Sequence, residues 1–260
     1  MRFYISILLG FVVFFLVGLQ GITAQTNDAE RAMERANKLF ENYMEKQALE
    51  EYQAVLETDP DNYEALWKSG FLFARIGNRF QDEEKKKHYF YKAMEHAQKA
   101  MDIDPDNVNS YYSLAVALGR RAIMSKPKQR VAATRKIHRV ASNGLDIQGD
   151  HAGLLHIMGY MNYRLTNMTK LEKLAANILH GGVPDGSEGE AVDYLESAVE
   201  ERPDYILYYH DLAKAYIAYD QKKAALETLE KAVSLPEKTP DDPELKSSCE
   251  QMLAQINTES

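Results

Sequence analysis

The chain has 260 residues, of which 45% are hydrophobic and 27% are charged, and its formal net charge is −8 at pH 7. This composition is ordinary for a globular protein, and the acidic balance argues against nucleic-acid binding. The single cysteine, Cys249, excludes an intramolecular disulfide, so we expect helix packing alone to stabilise the fold.

The first 24 residues have the pattern of a secretory signal peptide. Arg2 is the only charged residue before Asp28, and the stretch from Ile5 to Leu19 is almost entirely apolar. Small residues then lead to Ala24, which predicts cleavage after that residue and export to the periplasm or the extracellular space. The alternative is a retained N-terminal membrane anchor, because the uncharged stretch approaches the length of a bilayer span.

A short apolar pattern recurs along the rest of the chain. Small or apolar residues are spaced four and then three apart, and a proline turn follows, as in Ala48, Tyr52, Val55 and Pro60; Ala93, Ala97, Ala100 and Pro105; Ala191, Leu195, Ala198 and Pro203; and Ala225, Leu229, Ala232 and Pro236. This spacing lines up one face of a helix, and the turns end one helix and cap the next. The recurrence predicts a stacked helical array, in which each unit buries its apolar face against its neighbours.

Aligned on these turns, the chain resembles the tetratricopeptide repeat pattern. We predict an all-α, tetratricopeptide-like α-solenoid of about five helix pairs, formed by residues 25–240. Four of the first helices carry a small residue where two helices must approach closely, namely Gly70, Ala115, Gly159 and Ala213. Residues 164–190 form an insert, which we expect to be a short helix followed by a glycine-rich loop. Residues 241–260 are predicted to form a C-terminal capping helix and tail.

The stretch from His156 to Tyr216, which includes this insert, resembles the regulator of microtubule dynamics family. The matching residues are His156, Gly159, Tyr163, Leu171, Glu172, Lys173, Ala175, Gly181, Gly182, Val183, Pro184, Glu190, Ala191, Tyr194, Leu195, Ala198 and Asp211 to Tyr216. The resemblance implies a tetratricopeptide-like helical fold, and eukaryotic members of the family are linked to microtubules or membrane contacts. Export would separate this chain from tubulin, so a membrane-anchored regulator of that kind is the alternative that a retained N-terminus would support.

The concave surface of such an array, lined by the first helix of each pair, is the predicted binding site. Projecting the repeat pattern places eight residues there: Trp67, Phe71, Tyr112, Val116, His156, Tyr160, His210 and Lys214. Aromatic side chains with a few polar groups suit an extended peptide or a partner helix. The alternative is that several of these residues face the neighbouring repeat and complete the core. We therefore predict a non-enzymatic scaffold or adaptor that binds a protein or peptide partner.

A basic run interrupts the acidic chain. No acidic residue occurs between Asn107 and Leu145, whereas this stretch contains Arg120, Arg121, Lys126, Lys128, Arg130, Arg135, Lys136 and Arg139. Such segregation can attract an acidic partner or an anionic membrane surface. The alternative is a solvated helix face that pairs with acidic neighbours. The overall acidity does not favour membrane contact.

The sequence contains no recognisable catalytic or metal-binding set. An enzyme that uses the loop from Gly181 to Gly189 is a third hypothesis, but its glycine spacing differs from that of a nucleophile elbow and no strand precedes it. His151 and His156 are five residues apart, which splays them around a helix instead of pairing them as ligands. We expect no catalytic residues, no cofactor and no metal ion.

Overall fold

The computed structural model describes residues 29–258, which form twelve α-helices and no β-strand. Helices α1 (residues 29–41) and α2 (Glu45–Thr58) form the first pair, α3 (Tyr63–Asn78) and α4 (Glu83–Ile103) the second, and α5 (Val108–Ile123) and α6 (Pro127–Ile147) the third. In the fourth pair α7 (Ala152–Thr166) packs against α9 (Glu188–Glu201), with α8 (Lys170–His180) inserted between them in the chain. The fifth pair is α10 (Ile206–Ala218) and α11 (Lys222–Ser234), and α12 (Asp242–Thr258) packs against both.

The predicted all-α solenoid of five helix pairs with a C-terminal capping helix is confirmed. Consecutive pairs pack on one another, since α3 contacts α5, α5 contacts α7 and α7 contacts α10. Within residues 29–258 no helix has both the length and the apolar content to cross a bilayer. The predicted signal peptide, residues 1–24, lies outside the described residues.

The acidic proline turns begin the next helices as the sequence predicts. At the start of α3, the side chain of Asn62 accepts a hydrogen bond from the backbone N–H of Ala65 at 3.0 Å. At the start of α5, the side chain of Asn107 accepts from the backbone N–H of Asn109 at 3.1 Å. Each bond satisfies a backbone donor that the first helical turn leaves without a partner.

The recurring four-then-three pattern forms the core of the second helices. Ala48 and Tyr52 are fully buried, and so are the later copies Ala93, Ala97, Ala100, Ala191, Leu195, Ala198, Ala225, Leu229 and Ala232. Because eight of these eleven residues are alanine, the paired helices approach closely, and the larger apolar side chains of the first helices fill the space between pairs.

Gly159 marks the closest approach of α7 to α9. A Cβ atom added there would lie 2.9 Å from the backbone nitrogen of Leu195 and 3.0 Å from the carbonyl oxygen of Ala191. Gly159→Ala should therefore lower the free energy of unfolding by about 2 kcal/mol, because the two helices would have to separate. Urea denaturation followed by circular dichroism measures the change.

Gly119 is the matched control for that substitution. It also lies inside a helix, α5, but a Cβ atom added there meets nothing within 4 Å. Gly119→Ala should raise the free energy of unfolding by about 0.5–1 kcal/mol, since alanine loses less backbone freedom on folding. Equal effects at the two positions would contradict the close packing of α7 against α9.

The insert contains the short helix and the glycine loop that the sequence predicts. Helix α8 starts with a capping box, in which Thr169 accepts from the backbone N–H of Glu172 and the Glu172 carboxylate accepts from the backbone N–H of Thr169. It ends where Gly181 and Gly182 adopt φ angles of 74° and 80°, a backbone conformation that favours glycine. Both ends of α8 are thus specified by local residues.

The two ends of the solenoid touch across its inner side, so the concave surface predicted as the binding site is not open along its whole length. The Arg75 guanidinium of α3 donates to the Tyr205 hydroxyl at the start of α10 at 2.5 Å and to the Asp241 carboxylate before α12 at 2.7 Å. Arg202, which follows α9, donates to the hydroxyl of Tyr43 between α1 and α2 at 2.7 Å. The curvature brings residues about 130 to 166 positions apart into hydrogen-bond contact, and these bonds enclose part of the concave surface.

Candidate functional site

The enclosed part of the concave surface is a cavity of about 420 Å³. Its walls come from helices α1, α3, α5, α7 and α10, from the start of α2, and from the turns before α2, α7 and α10. Half of the sixteen lining residues carry aromatic rings, and these are Phe40, Tyr43, Trp67, Phe71, Tyr112, His151, Tyr205 and Tyr208. A volume of this size is typical of a small-ligand site and holds a few side chains of a partner.

Five of these rings form a continuous wall, because each of them contacts another of the five. Phe40 lies edge-on to Trp67 and to Phe71, with 6.0 Å between ring centroids in both pairs. The Phe71 ring lies 5.2 Å from Tyr112, and Tyr112 lies 4.9 Å from His151. Such contacts hold the side chains in place, so the cavity keeps its shape without a guest.

A buried ion-pair network forms the polar side of the cavity. Arg75 pairs with Glu45 at 2.6 Å and with Asp241 at 2.7 Å. Arg79 pairs with the same two carboxylates, at 2.5 Å in the case of Asp241. Burial alone would lower the pKa of Arg75, but its three partners raise it above the ordinary value. The guanidinium therefore stays charged while it joins α3 to α2, α10 and the turn before α12.

Arg202 supplies a second cation to the lining, and its environment differs from that of Arg75. Its guanidinium lies 4.4 Å from the centroid of the Tyr205 ring and donates to the Tyr43 hydroxyl. Among residues 29–258 no carboxylate lies within 4 Å of it. A half-buried guanidinium stacked on an aromatic ring is a suitable donor to the carboxylate of a guest.

Burial raises the pKa of Tyr112, Tyr205 and Tyr208 above the ordinary value of a phenol. Their hydroxyl groups therefore stay protonated. Burial also lowers the pKa of His151, whose Nδ1 atom accepts from the backbone N–H of Leu154 at 3.2 Å. Apart from its two arginines and two glutamates, the lining is thus uncharged at neutral pH.

A second polar cluster is centred on Asp211, next to the cavity. Its carboxylate accepts from His156 Nε2 and from His210 Nδ1, both at 2.9 Å, and Lys214 Nζ lies 3.7 Å away. Burial would raise the pKa of Asp211, but the two histidine hydrogen bonds outweigh it and hold the pKa well below the ordinary value. His156 also stacks on the cavity residue Tyr208, with 4.7 Å between centroids, so the cluster supports one wall of the cavity.

The same cluster contains the residue types of a hydrolase triad. His210 Nε2 lies 3.1 Å from Ser248 Oγ, and His210 Nδ1 bonds to Asp211. Ser248, however, lies in the middle of α12, where the backbone N–H groups are used within the helix. An ester-cleaving serine needs such donors for its oxyanion. We interpret the cluster as a structural network.

Seven of the eight predicted groove residues fall into two groups, and Val116 belongs to neither. Trp67, Phe71 and Tyr112 line the cavity, while Val116 is half-buried against the core. The remaining four residues surround Asp211, and they are His156, Tyr160, His210 and Lys214. The centroid of the Tyr160 ring lies 5.5 Å from the ammonium of Lys214. Binding by either group stays a prediction.

Several residues of the cavity were not predicted from the sequence. Tyr205 and Tyr208 gave a readable signal, because three tyrosines occur between positions 205 and 209 at the start of a first helix. Phe40 and Tyr43 lie at the end of the first helix and just after it, where the repeat pattern gives no reason to expect lining residues. Arg75 shows no local signal, since its partner Asp241 is 166 residues away.

The predicted basic residues occupy two environments. Seven of them lie at the end of α5, just before α6 and along the first two thirds of α6, and all but Lys136 are exposed; these are Arg121, Lys126, Lys128, Arg130, Arg135, Lys136 and Arg139. Arg120 is half-buried instead, and its charge interacts with those of Arg75, Asp211 and Asp241. It is therefore separate from the basic surface. In the described part of the chain no group of three or more His, Cys, Asp or Glu residues is placed to hold a metal ion.

Comparison with known proteins assigns this architecture to a family. The sequence pattern of the family described as regulator of microtubule dynamics protein 1-3 matches residues 32–257. The chain belongs to this family. Regulator of microtubule dynamics protein 1 of Caenorhabditis elegans is 23% identical over 218 residues, which cover 84% of this chain and 96% of that protein. The Mus musculus protein of the same name is 23% identical over 250 residues, covering 94% and 80%.

Solved structures show the same fold. A thermophilic TPR protein of Thermus thermophilus gives a TM-score of 0.63 at 16% identity, covering 87% of this chain and 99% of that one. Human IFIT1, solved as a dimer with PPP-AAAA, gives a TM-score of 0.54 at 16% identity, covering 89% and 56%. At this identity the likeness shows the fold alone, and this member of the family is a tetratricopeptide-like array.

Proposed function

We propose that this protein is a non-enzymatic interaction scaffold, and that its aromatic cavity binds a short segment of a protein partner. The family and the fold fit a helical repeat scaffold. The observation that carries the proposal is the cavity of about 420 Å³ lined by rings from helices or turns of several repeats. Aromatic residues that are held in place lose little conformational freedom on binding, which makes them effective recognition surfaces.

The guest is a short segment and not a helix laid along the whole inner curve. The bonds from Arg75 to Tyr205 and Asp241 cross that curve, so a long helix would have to break them. The cavity volume admits about one to three side chains. The guanidinium of Arg202 also lines the cavity. The preferred segment therefore combines an apolar or aromatic side chain with a carboxylate.

Trp67 is the only tryptophan of the chain and lines the cavity, so its fluorescence reports directly on a guest. Peptides selected from a random phage library against the full chain, and lacking tryptophan, are titrated while the emission is recorded. Phe71→Ala should weaken binding about 30-fold, because it removes a central aromatic contact. Ala152→Phe, which fills the cavity, should abolish it.

Tyr91→Ala provides the control, since Tyr91 is an exposed aromatic residue on α4 that does not line the cavity. This variant should bind the selected peptides like the parent chain. Circular dichroism checks that each variant is folded. Selected peptides that bind Ala152→Phe as tightly as the parent would place recognition elsewhere and refute the cavity as the binding site.

A further inference from the structure

Helix α8 turns its most apolar stripe away from the protein. Leu171, Leu174 and Ile178 are spaced three and four apart, so they share one face of the helix. Their exposed fractions are 75%, 54% and 70%, whereas Ala176 on the opposite face is only 3% exposed. An amphipathic helix of a globular protein normally buries its apolar stripe. In α8, the face that packs against the rest of the protein is instead the one that carries the small side chain of Ala176.

The exposed apolar stripe lies on a helix whose two ends are fixed by its own residues and which packs against α6. An isolated helix of 11 residues is marginal in water, yet α8 has a capping box at its start and a left-handed glycine at its end. Helix α6 packs against it, and Arg135 of α6 donates to the carbonyl oxygen of Gly182 at 2.6 Å. Three adjacent, exposed aliphatic side chains on a supported helix mark an interaction surface.

The surroundings of the stripe are cationic, although the protein as a whole carries a net charge of −8. Lys170 and Lys173 are exposed on α8 itself. Glu172, the only acidic residue of α8, is occupied by hydrogen bonds with Thr169. The neighbouring helix α6 contributes exposed cations and no carboxylate up to residue 145. The described surface therefore combines apolar side chains with positive charge in one place.

We propose that α8 docks on an anionic lipid surface, with Leu171, Leu174 and Ile178 inserted between the head groups. Aliphatic side chains that enter the interface, together with nearby lysine and arginine, are the features of helices that lie on such membranes. At 1.5 Å per residue α8 is about 16 Å long, which suits a helix lying in the interface and is too short to span the bilayer. A second copy fits this face poorly, because a symmetric contact would bring two cationic surfaces together.

A dye placed on α8 tests the proposal in the full chain. Leu174→Cys is labelled with an environment-sensitive nitrobenzoxadiazole dye, while the native Cys249 is fully buried and its pKa is raised to about 11 by burial, which makes it unreactive. With vesicles of phosphatidylserine and phosphatidylcholine, the emission should shift to shorter wavelength and gain intensity. Lys223→Cys, labelled on α11, is the control and should not change, since Lys223 lies on another face and is exposed.

Changing the lysine charges of α8, the salt concentration and the lipid composition distinguishes membrane docking from the alternatives. Replacing Lys170 and Lys173 by glutamine should weaken the vesicle response at position 174 by about tenfold or more, and added salt should weaken it further. No response at position 174, or the same response on phosphatidylcholine alone, overturns the proposal. A dimer in sedimentation that Leu174→Ser dissolves also overturns it, because the stripe would then bind a second copy. The local dye distinguishes α8 from any contact that another segment makes with the vesicle.

Discussion

Replacing Arg75 by methionine should lower the free energy of unfolding by about 3–4 kcal/mol, the usual cost of breaking a buried ion pair from one side. The Arg75 side chain is only 8% exposed and pairs with Glu45 and Asp241. Methionine retains much of the apolar stem but removes the charge. The two carboxylates then share Arg79 as their remaining partner, and the Tyr205 hydroxyl loses its donor. Urea denaturation at neutral pH measures the effect.

Two further variants make that result specific. Lys223→Met removes an exposed cation, whose ion pair with Glu227 at 3.8 Å is on the surface, and should leave the stability unchanged. The double variant Arg75→Met with Glu45→Gln should cost less than the sum of the single variants, because the second change removes the carboxylate that the first leaves unpaired. Strict additivity would show that Arg75 and Glu45 act independently.

The same substitution should open the solenoid. Arg75 joins α3 to α10 and to the turn before α12, and few other bonds in the described structure cross the inner curve. Small-angle scattering of Arg75→Met should therefore show a larger radius of gyration than that of the parent chain. An unchanged radius, together with unchanged binding of the selected peptides, would show that the network does not shape the cavity.

The helical array could be predicted from the sequence because its signals are local. Ala48, Tyr52 and Val55 repeat at helical spacing, and Asn62 caps the helix that follows the turn, so burial and element boundaries are readable within about 15 residues. Trp67 and Phe71 could be assigned to the inner surface for the same reason, since both lie at fixed offsets from the small residue Gly70.

The closure of the array could not be predicted, because it depends on curvature accumulated over several pairs of unequal length. No local pattern connects Arg75 with Asp241 or Tyr43 with Arg202. The apolar periodicity also fails to predict how α8 packs. It identifies an apolar face of this helix but does not show which face contacts the rest of the protein. Only the packing of Ala176 toward the body shows that Leu174 points outward.

Asp211 connects the fifth helix pair to the fourth, and we expect its replacement to cause the second large loss of stability. Asp211→Ala should destabilise the protein by about 3 kcal/mol at neutral pH, since two half-buried histidine donors lose their acceptor. Asp211→Asn retains the shape and one acceptor, so its cost should be smaller. Because an ionised carboxylate only accepts hydrogen bonds, His156 Nε2 and His210 Nδ1 must each carry a proton in this arrangement.

The pH dependence tests the electrostatic part of that argument. The pKa of Asp211 is lower in the folded protein than its ordinary value near 4, so its contribution is fully present above about pH 4 and is lost as the pH falls toward the folded pKa. Asparagine resembles the protonated acid. The difference in unfolding free energy between the parent and Asp211→Asn should thus be about 2–3 kcal/mol near pH 7 and should shrink below about pH 4.

An exposed carboxylate serves as the comparison for this pH series. Asp204 pairs with Lys238 at 2.6 Å near the surface, and that hydrogen bond also lowers its pKa. Solvent screens such a pair, so Asp204→Asn should change the stability far less than Asp211→Asn at every pH. If the Asp211→Asn difference instead stays constant from neutral to acidic pH, the ionised carboxylate does not hold the two histidines. The stacking of His156 on Tyr208 would then have to support this wall of the cavity by packing alone.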